Sequence, residues 1–389
     1  MSRRRLVILT EIISPYRIPL FNTLSERKED LDLHVIFLAE TDPGLRQWHI
    51  YKEEIRFSYE VLPSWRKRVG RYHVLLNRGI TQALKTASAD LILCGGYNYV
   101  ASWQAVVWAR THNVPFLLWS ESNLQDERRG YSVVELLKDE FLRQCAGFVV
   151  PGSSSGEYLR SRKVKEDLIF TAPNAVDNAL FAQAATDARK NAARNRKEAG
   201  LPERYILFVG RLVREKGVFD LLAAYTRLEL SIRRQVGLVF VGDGDARAAL
   251  EEQAATISSG SVKFAGFAQR EQLGAYYGLA DLLVLPTYTD PWGLVVNEAM
   301  ACGLPVIVSR VAGCAADLVK EFWNGAWIAP GDVSGLASVL YRLLADRDGC
   351  AKMGANSLEL ISKFSPVEWS AGIARAIAAV VPAESSAGG

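Results

Sequence analysis

Short apolar runs recur along this 389-residue chain, each followed by an amphipathic stretch; the pattern breaks once and then resumes. The runs Leu6–Leu9, Leu33–Phe37, Leu91–Leu93, Phe116–Trp119 and Phe148–Val150 are rich in β-branched or aromatic residues. Strands alternating with helices fold into parallel sheets built from βαβ units. From Asn178 to Arg204 the chain turns to Ala, Arg, Lys and Asn, with no strand-like run. That segment reads as a solvent-facing linker with one polar helix. The alternation restarts at Tyr205–Val209 and continues through Leu238–Val241, Val262–Phe264, Leu282–Leu285 and Val306–Val308. The expected class is therefore α/β, with two Rossmann-like parallel-sheet domains. The expected spans are 1–177 for the first domain, 178–203 for the linker, 204–364 for the second domain and 365–382 for a final helix. Ala383–Gly389 read as a disordered tail.

Composition narrows the class of molecule. A hydrophobic share of 49% and a charged share of 23% are ordinary for a globular protein of two cores. A net charge of +3 is too small to indicate nucleic acid, and no such partner is expected. The five cysteines are an odd number without a C-x-x-C pair, which reads as a reduced, cytoplasmic chain lacking a disulfide framework or zinc site. The apolar run after the basic start is too short for a signal peptide, and none reaches membrane-spanning length. The expected location is the cytoplasm, at most peripheral on a membrane.

In open parallel sheets ligands bind beyond the carboxyl ends of the strands, so the residues after each strand are the ones to inspect. After Tyr205–Val209 comes Gly210-Arg211-Leu212-Val213-Arg214-Glu215-Lys216-Gly217. Gly210 permits close backbone approach, and the Arg211 fork and the Lys216 point charge suit a diphosphate. The plain alternative is a βα loop with two solvated cations. After Leu238–Val241 comes Gly242-Asp243-Gly244-Asp245. This is not a dinucleotide fingerprint, and its D-x-D reads as a tight turn rather than a metal site. Asp30-Leu31-Asp32 reads as a turn before a strand.

The segment Asp290-Pro291-Trp292-Gly293-Leu294-Val295-Val296-Asn297-Glu298 sets two carboxylates around a helix start expected near Leu294. Backbone N–H groups at a helix start suit a phosphate. Carboxylates beside it suit sugar hydroxyls, because each accepts several hydrogen bonds. Together they suit a nucleotide sugar. The plain alternatives are Asp290 as an N-cap with proline at N1, Glu298 as a dipole-complementing acid, and Trp292 as a core residue.

In the first half Glu11 follows the first strand, and Glu121 follows Phe116–Trp119. Each is a candidate base or hydroxyl-binding group, or a loop acid. His112 falls on the wrong edge of the sheet, His34 lies inside a strand, and His49 and His73 have no evident partner. The stretch Trp65–His73 carries four basic residues and no acid. It reads as a solvated loop, or as a surface attracted to anionic lipid headgroups or to a phosphate-bearing acceptor.

Taken together, these residues resemble the retaining, GT-B-fold glycosyltransferases of family 4. The resemblance rests on G-R-L-x-x-x-K-G at Gly210–Gly217, V-G-D-G at Val241–Gly244, the acid-x7-acid segment running into E-A-M-A-C-G-L-P-V, and P-N-A-V-D at Pro173–Asp177. It covers the second half well and the first mostly in architecture. It implies two domains facing across a cleft, with the final helix crossing back to the first. It also implies a nucleoside-diphosphate-sugar donor, UDP- or GDP-linked, held by Arg211, Lys216 and the amides near Gly293, Leu294 and Val295. Glu298 would take the ribose hydroxyls and Asp290 those of the transferred sugar. No metal and no cofactor are implied. Three departures stand out: Asp290 replaces the family's usual Glu, the first loop Ile12-Ile13-Ser14-Pro15-Tyr16-Arg17 lacks the glycine pair many members carry, and Glu121 lies near the point where many members place a histidine.

The expected function is retaining transfer of a hexose-type sugar in polysaccharide, lipopolysaccharide or glycolipid assembly. Asp290, Glu121 and Glu11 are the candidate catalytic residues. The acceptor would be a sugar, a lipid-linked molecule or a small molecule, met with peripheral contact to an inner-membrane surface. The alternatives are a nucleotide-sugar epimerase, which the poor placement of histidines disfavours, and a non-catalytic nucleotide-sugar-binding partner, which the intact Arg211, Lys216 and Glu298 disfavour. A dehydrogenase lacks its glycine fingerprint.

Overall fold

The structure, a computed structural model, describes residues 3–27, 31–42, 47–69, 72–124 and 132–381. Residues 70 and 71 of the basic stretch, Asp30 and the expected tail Ala383–Gly389 lie outside them. The chain divides into two compact units: Met1–Asn174 with Pro366–Gly389, and Ala175–Ser365.

The strands of the first unit are β1 (Arg4–Ile12), β2 (Leu31–Ala39), β3 (Ser58–Val61), β4 (Ser64–Val69), β5 (Tyr72–Asn77), β6 (Leu91–Cys94), β7 (Phe116–Trp119), β8 (Gly147–Val150) and β9 (Ile169–Thr171). Seven of them form one sheet in the order β3-β2-β1-β6-β7-β8-β9, every pair parallel. Every residue of β6, β7 and β8 is buried, which is why each reads as an unbroken apolar run. Strands β4 and β5 make a separate antiparallel ribbon. The basic stretch is therefore a hairpin, not a loop.

The helix Pro366–Val380 belongs to this first unit. Its Trp369 is fully buried, with ring centroids 5.8 Å from Phe21 and 5.3 Å from Trp119. Ile373 and Ala376 follow on the same face and are equally buried.

The second unit is built on β10 (Arg204–Val209), β11 (Val236–Val241), β12 (Val262–Gly266), β13 (Leu282–Leu285), β14 (Val306–Ser309) and β15 (Gly325–Ile328). They run parallel in the order β12-β11-β10-β13-β14-β15. The strand order reverses beside β10, between it and β13, just as the first sheet reverses between β1 and β6. Such reversals open a crevice at the carboxyl ends of the strands.

The segment read as a solvent-facing linker is two helices, Asn178–Lys190 and Ala192–Ala199. The first is capped by Asp177, whose carboxylate accepts from the Leu180 amide at 3.0 Å. It buries Phe181, Ala185 and Ala188 in the second core, with Phe181 edge-on to Tyr277. Its three buried positions at i, i+4 and i+7 are sparse and small, so they were lost among the polar residues between them.

Candidate active site

In the second unit the loop after β10 and the loop after β13 meet where the strand order reverses. The first loop passes through a 3₁₀ turn, Arg214–Lys216, and Gly217 precedes the helix Val218–Thr226. Gly217 has φ +68°, and a Cβ there would lie 2.0 Å from the Pro286 carbonyl oxygen. That close approach ties the loop to the end of β13, as do two hydrogen bonds onto the Glu215 carbonyl, from the Tyr288 amide (2.8 Å) and the Thr287 hydroxyl (3.0 Å). The outcome is that Lys216 Nζ sits 2.5 Å from Asp290 Oδ2, both side chains mostly buried. Arg211 is exposed and, among the described residues, forms no ion pair.

Asp290 does not cap the next helix. That helix is Leu294–Ala301, and its N-cap is Gly293. Asp290 instead closes the turn before it: Oδ1 accepts from the Trp292 amide at 3.2 Å, and its carbonyl accepts from the Gly313 amide. Gly293 offers no side chain to the first-turn amides of Leu294 and Val295, which have no partner within the helix. Trp292 is a core residue whose indole donates to Asn297 at 2.8 Å.

Glu298 lies on the same helix but has a different environment. Part of its side chain stays accessible, yet protein crowds the carboxyl, and burial raises its pKa to about 7. The buried Tyr277 hydroxyl donates to Oε2 at 2.6 Å and opposes that shift. The structure thus brings Lys216 and Asp290 into contact, leaves Arg211 exposed, and sets Glu298 against Tyr277. Tyr277 was invisible to sequence reasoning, because it reads as one more aromatic in the helix Arg270–Leu279.

The D-x-D segment is structural. The Asp243 carbonyl accepts from Leu212, and its side chain accepts from Gly244. A Cβ on Gly242 would lie 1.9 Å from the Gly210 carbonyl oxygen, so the two loops pack backbone to backbone. Among the described residues no cluster of acids, histidines and cysteines could hold a metal ion.

In the first unit the two candidate acids fall into separate clusters. Glu121 lies 3.5 Å from Arg17 and accepts from Asn174 at 3.4 Å. Arg17 also donates to Thr10 at 2.6 Å and lies 4.5 Å above the Trp119 ring. Glu11 accepts from Tyr99 and lies 3.6 Å from Arg66, which pairs with the buried Asp42. Burial, with Glu11 nearby, holds the Tyr99 hydroxyl well above the usual phenol range. Arg17, Tyr99 and Asp42 were not singled out as site candidates, and Arg66 was marked only as one cation of the basic stretch. Of the histidines, His34 bonds Ser58 and Glu60 at the β2–β3 edge, His112 stacks on Trp108, and His49 stands edge-on to Tyr51.

Comparison with known proteins shows what this geometry is similar to. Residues 189–359, all within the second unit, match the model of the family described as Glycosyl transferases group 1. The "Uncharacterized glycosyltransferase MJ1607" of Methanocaldococcus jannaschii is 37% identical over 145 residues, 37% of this chain and 36% of the relative. The glycogen synthase of Mycobacterium tuberculosis is 36% identical over 144 residues, 36% of this chain and 34% of the relative. The chain thus spans about a third of the length of these curated relatives. Among solved structures, Anabaena Alr3699/HepE in complex with UDP superposes with a TM-score of 0.77 at 20% identity, covering 96% of this chain and 99% of that one. That likeness shows the fold, two Rossmann-like domains of the GT-B class. Among the described residues no helix is long and apolar enough to cross a membrane.

Proposed function

We propose that the chain is a retaining glycosyltransferase that moves a hexose-type sugar from a UDP- or GDP-sugar to an acceptor hydroxyl, in polysaccharide, lipopolysaccharide or glycolipid assembly. The observation that carries the reading is Lys216, 2.5 Å from Asp290, where the second sheet reverses its strand order and beside the uncapped start of Leu294–Ala301. In this reading Lys216 exchanges Asp290 for the donor's diphosphate, joined by Arg211 and the Leu294 and Val295 amides. The exchange frees Asp290 Oδ2 for a sugar hydroxyl, and Glu298 accepts from the ribose. The bond between the anomeric carbon and the phosphate oxygen breaks. Lys216, Arg211 and the helix end stabilise the charge left on the diphosphate, a role that needs no metal. The acceptor oxygen bonds the anomeric carbon on the face the phosphate leaves, and its proton passes to the departing phosphate. Glu11 and Glu121 are the acceptor-side candidates. The solved complexes of Anabaena Alr3699/HepE with UDP and with UDP-glucose favour uridine for the base.

The test is incubation of the chain with UDP- and GDP-sugars and a panel of sugar and lipid-linked acceptors, followed by NMR of the product. An α-linked product from an α-linked donor, lost in Lys216→Ala and Glu298→Ala with folding intact, supports the reading. An inverted product, or wild-type rates in both variants, contradicts it.

A further inference from the structure

The β4–β5 ribbon has two unlike faces. Its register pairs Ser64 with Asn77, Trp65 with Leu76, Arg66 with Leu75 and Lys67 with Val74. Alternation places Arg66 and Leu75 on one face, Trp65, Lys67, Leu76 and Val74 on the other. The first face is fastened to the unit. Leu75 is buried in its core, Arg66 is paired with Asp42, and the Asn77 amide donates to the Leu38 carbonyl at 2.5 Å. The second face is open. Trp65 is 55% exposed and its cross-strand partner Leu76 39%. Lys67 is exposed as well, its Nζ 5.9 Å from the Trp65 ring centroid, and Arg78 is exposed just past the ribbon.

The charge on this segment has one sign. Residues 63–78 carry five cations, Arg66, Lys67, Arg68, Arg71 and Arg78, and no acid. An exposed tryptophan beside an aliphatic side chain, with the exposed cations Lys67 on the ribbon and Arg78 just past it, matches the headgroup zone of an anionic bilayer. There the indole sits at the apolar boundary and each cation meets lipid phosphate. The same ribbon, through Arg66, reaches Glu11 at the carboxyl end of β1. We propose that the outward face of the β4–β5 ribbon docks on an anionic lipid surface, bringing the carboxyl edge of the first sheet to a lipid-borne acceptor. The acceptor half of this statement rests on the transferase reading; the docking half does not.

The test is co-sedimentation of the full chain with vesicles of phosphatidylcholine alone and of phosphatidylcholine with a third phosphatidylglycerol, at low and high salt, with UDP and GDP binding measured on the same preparation. Binding should be confined to the anionic vesicles and fall with salt. Each cation near such a surface contributes about fivefold, so Lys67→Glu with Arg78→Glu should weaken partitioning more than tenfold. Trp65→Ala should weaken it at both salt concentrations. Lys67→Arg with Arg78→Lys should restore wild-type binding. These substitutions leave the fastened face untouched, so the melting temperature should not move. Absence of binding to anionic vesicles overturns the proposal, as do binding unchanged in the charge-reversed and Trp65→Ala variants and capture by single-stranded DNA in preference to vesicles. Vesicle binding without binding of either UDP or GDP overturns the transferase reading and leaves the docking face standing.

Discussion

Lys216 is the residue on which the proposed donor site turns. Its ammonium faces the Asp290 carboxylate with little solvent between them, so the pair holds both groups in place until a stronger anion arrives. Lys216→Ala should weaken nucleoside-diphosphate binding by about 10- to 100-fold, the range for losing a charge-assisted hydrogen bond, and calorimetry reads it directly. It also leaves the Asp290 carboxylate without its cation, so a small loss of thermal stability should accompany it. Glu298 makes a second prediction through pH. Its pKa lies at about 7 in the fold against an ordinary 4.5. Between those values the folded chain keeps a proton that the unfolded chain releases. Stability therefore falls as pH rises through this window and levels off above it, a change of about 3 kcal/mol from this group. Glu298→Gln should remove that slope while keeping the Tyr277 hydrogen bond. Melting curves across the window check it, and an equal slope in the variant would assign the pH dependence to another group.

The loops act as elements because backbone meets backbone at two glycines. Gly217→Ala would drive a methyl into the Pro286 carbonyl at a left-handed φ, and Gly242→Ala would drive one into the Gly210 carbonyl. Each should cost at least about 2 kcal/mol in urea unfolding, and Gly217→Ala should also shift Lys216 and weaken nucleotide binding. A control on the surface, Ser338→Ala on the helix Val333–Ala345, should change neither. Strand legibility followed burial. Strands covered on both faces, such as β7 and β13, showed as pure apolar runs and were located to the residue or nearly so. The edge strands β3 and β9, half open to solvent, and the hairpin with its alternating faces left no such run. In the site, Gly210–Gly217 and Asp290–Glu298 were legible because each loop holds its residues within one short segment. The Lys216–Asp290 contact and the Arg17 and Arg66 clusters were not, because they join strands that the sequence separates widely.

At the scale of the whole molecule the chain makes two units and completes the first with residues from its far end. Trp369 is the anchor of that return, buried among Phe21 and Trp119 of the first unit. Trp369→Ala should destabilise that unit by about 3–5 kcal/mol, the usual cost of emptying a large aromatic site. Hydrogen exchange would show the loss in β7, β8 and β9 and leave β10 and β13 protected; uniform loss across both sheets would mean that the two cores unfold as one. The central claim is that the second unit holds a nucleoside diphosphate through Lys216 without a metal. The measurement that meets it most directly is the melting temperature of the wild-type chain and of Lys216→Ala with UDP, GDP and ADP in the presence of EDTA. A ligand that binds only the folded state raises that temperature with its concentration. One nucleotide should raise it in the wild type and far less in Lys216→Ala. No rise with any of the three, or the same rise in both proteins, would contradict the account.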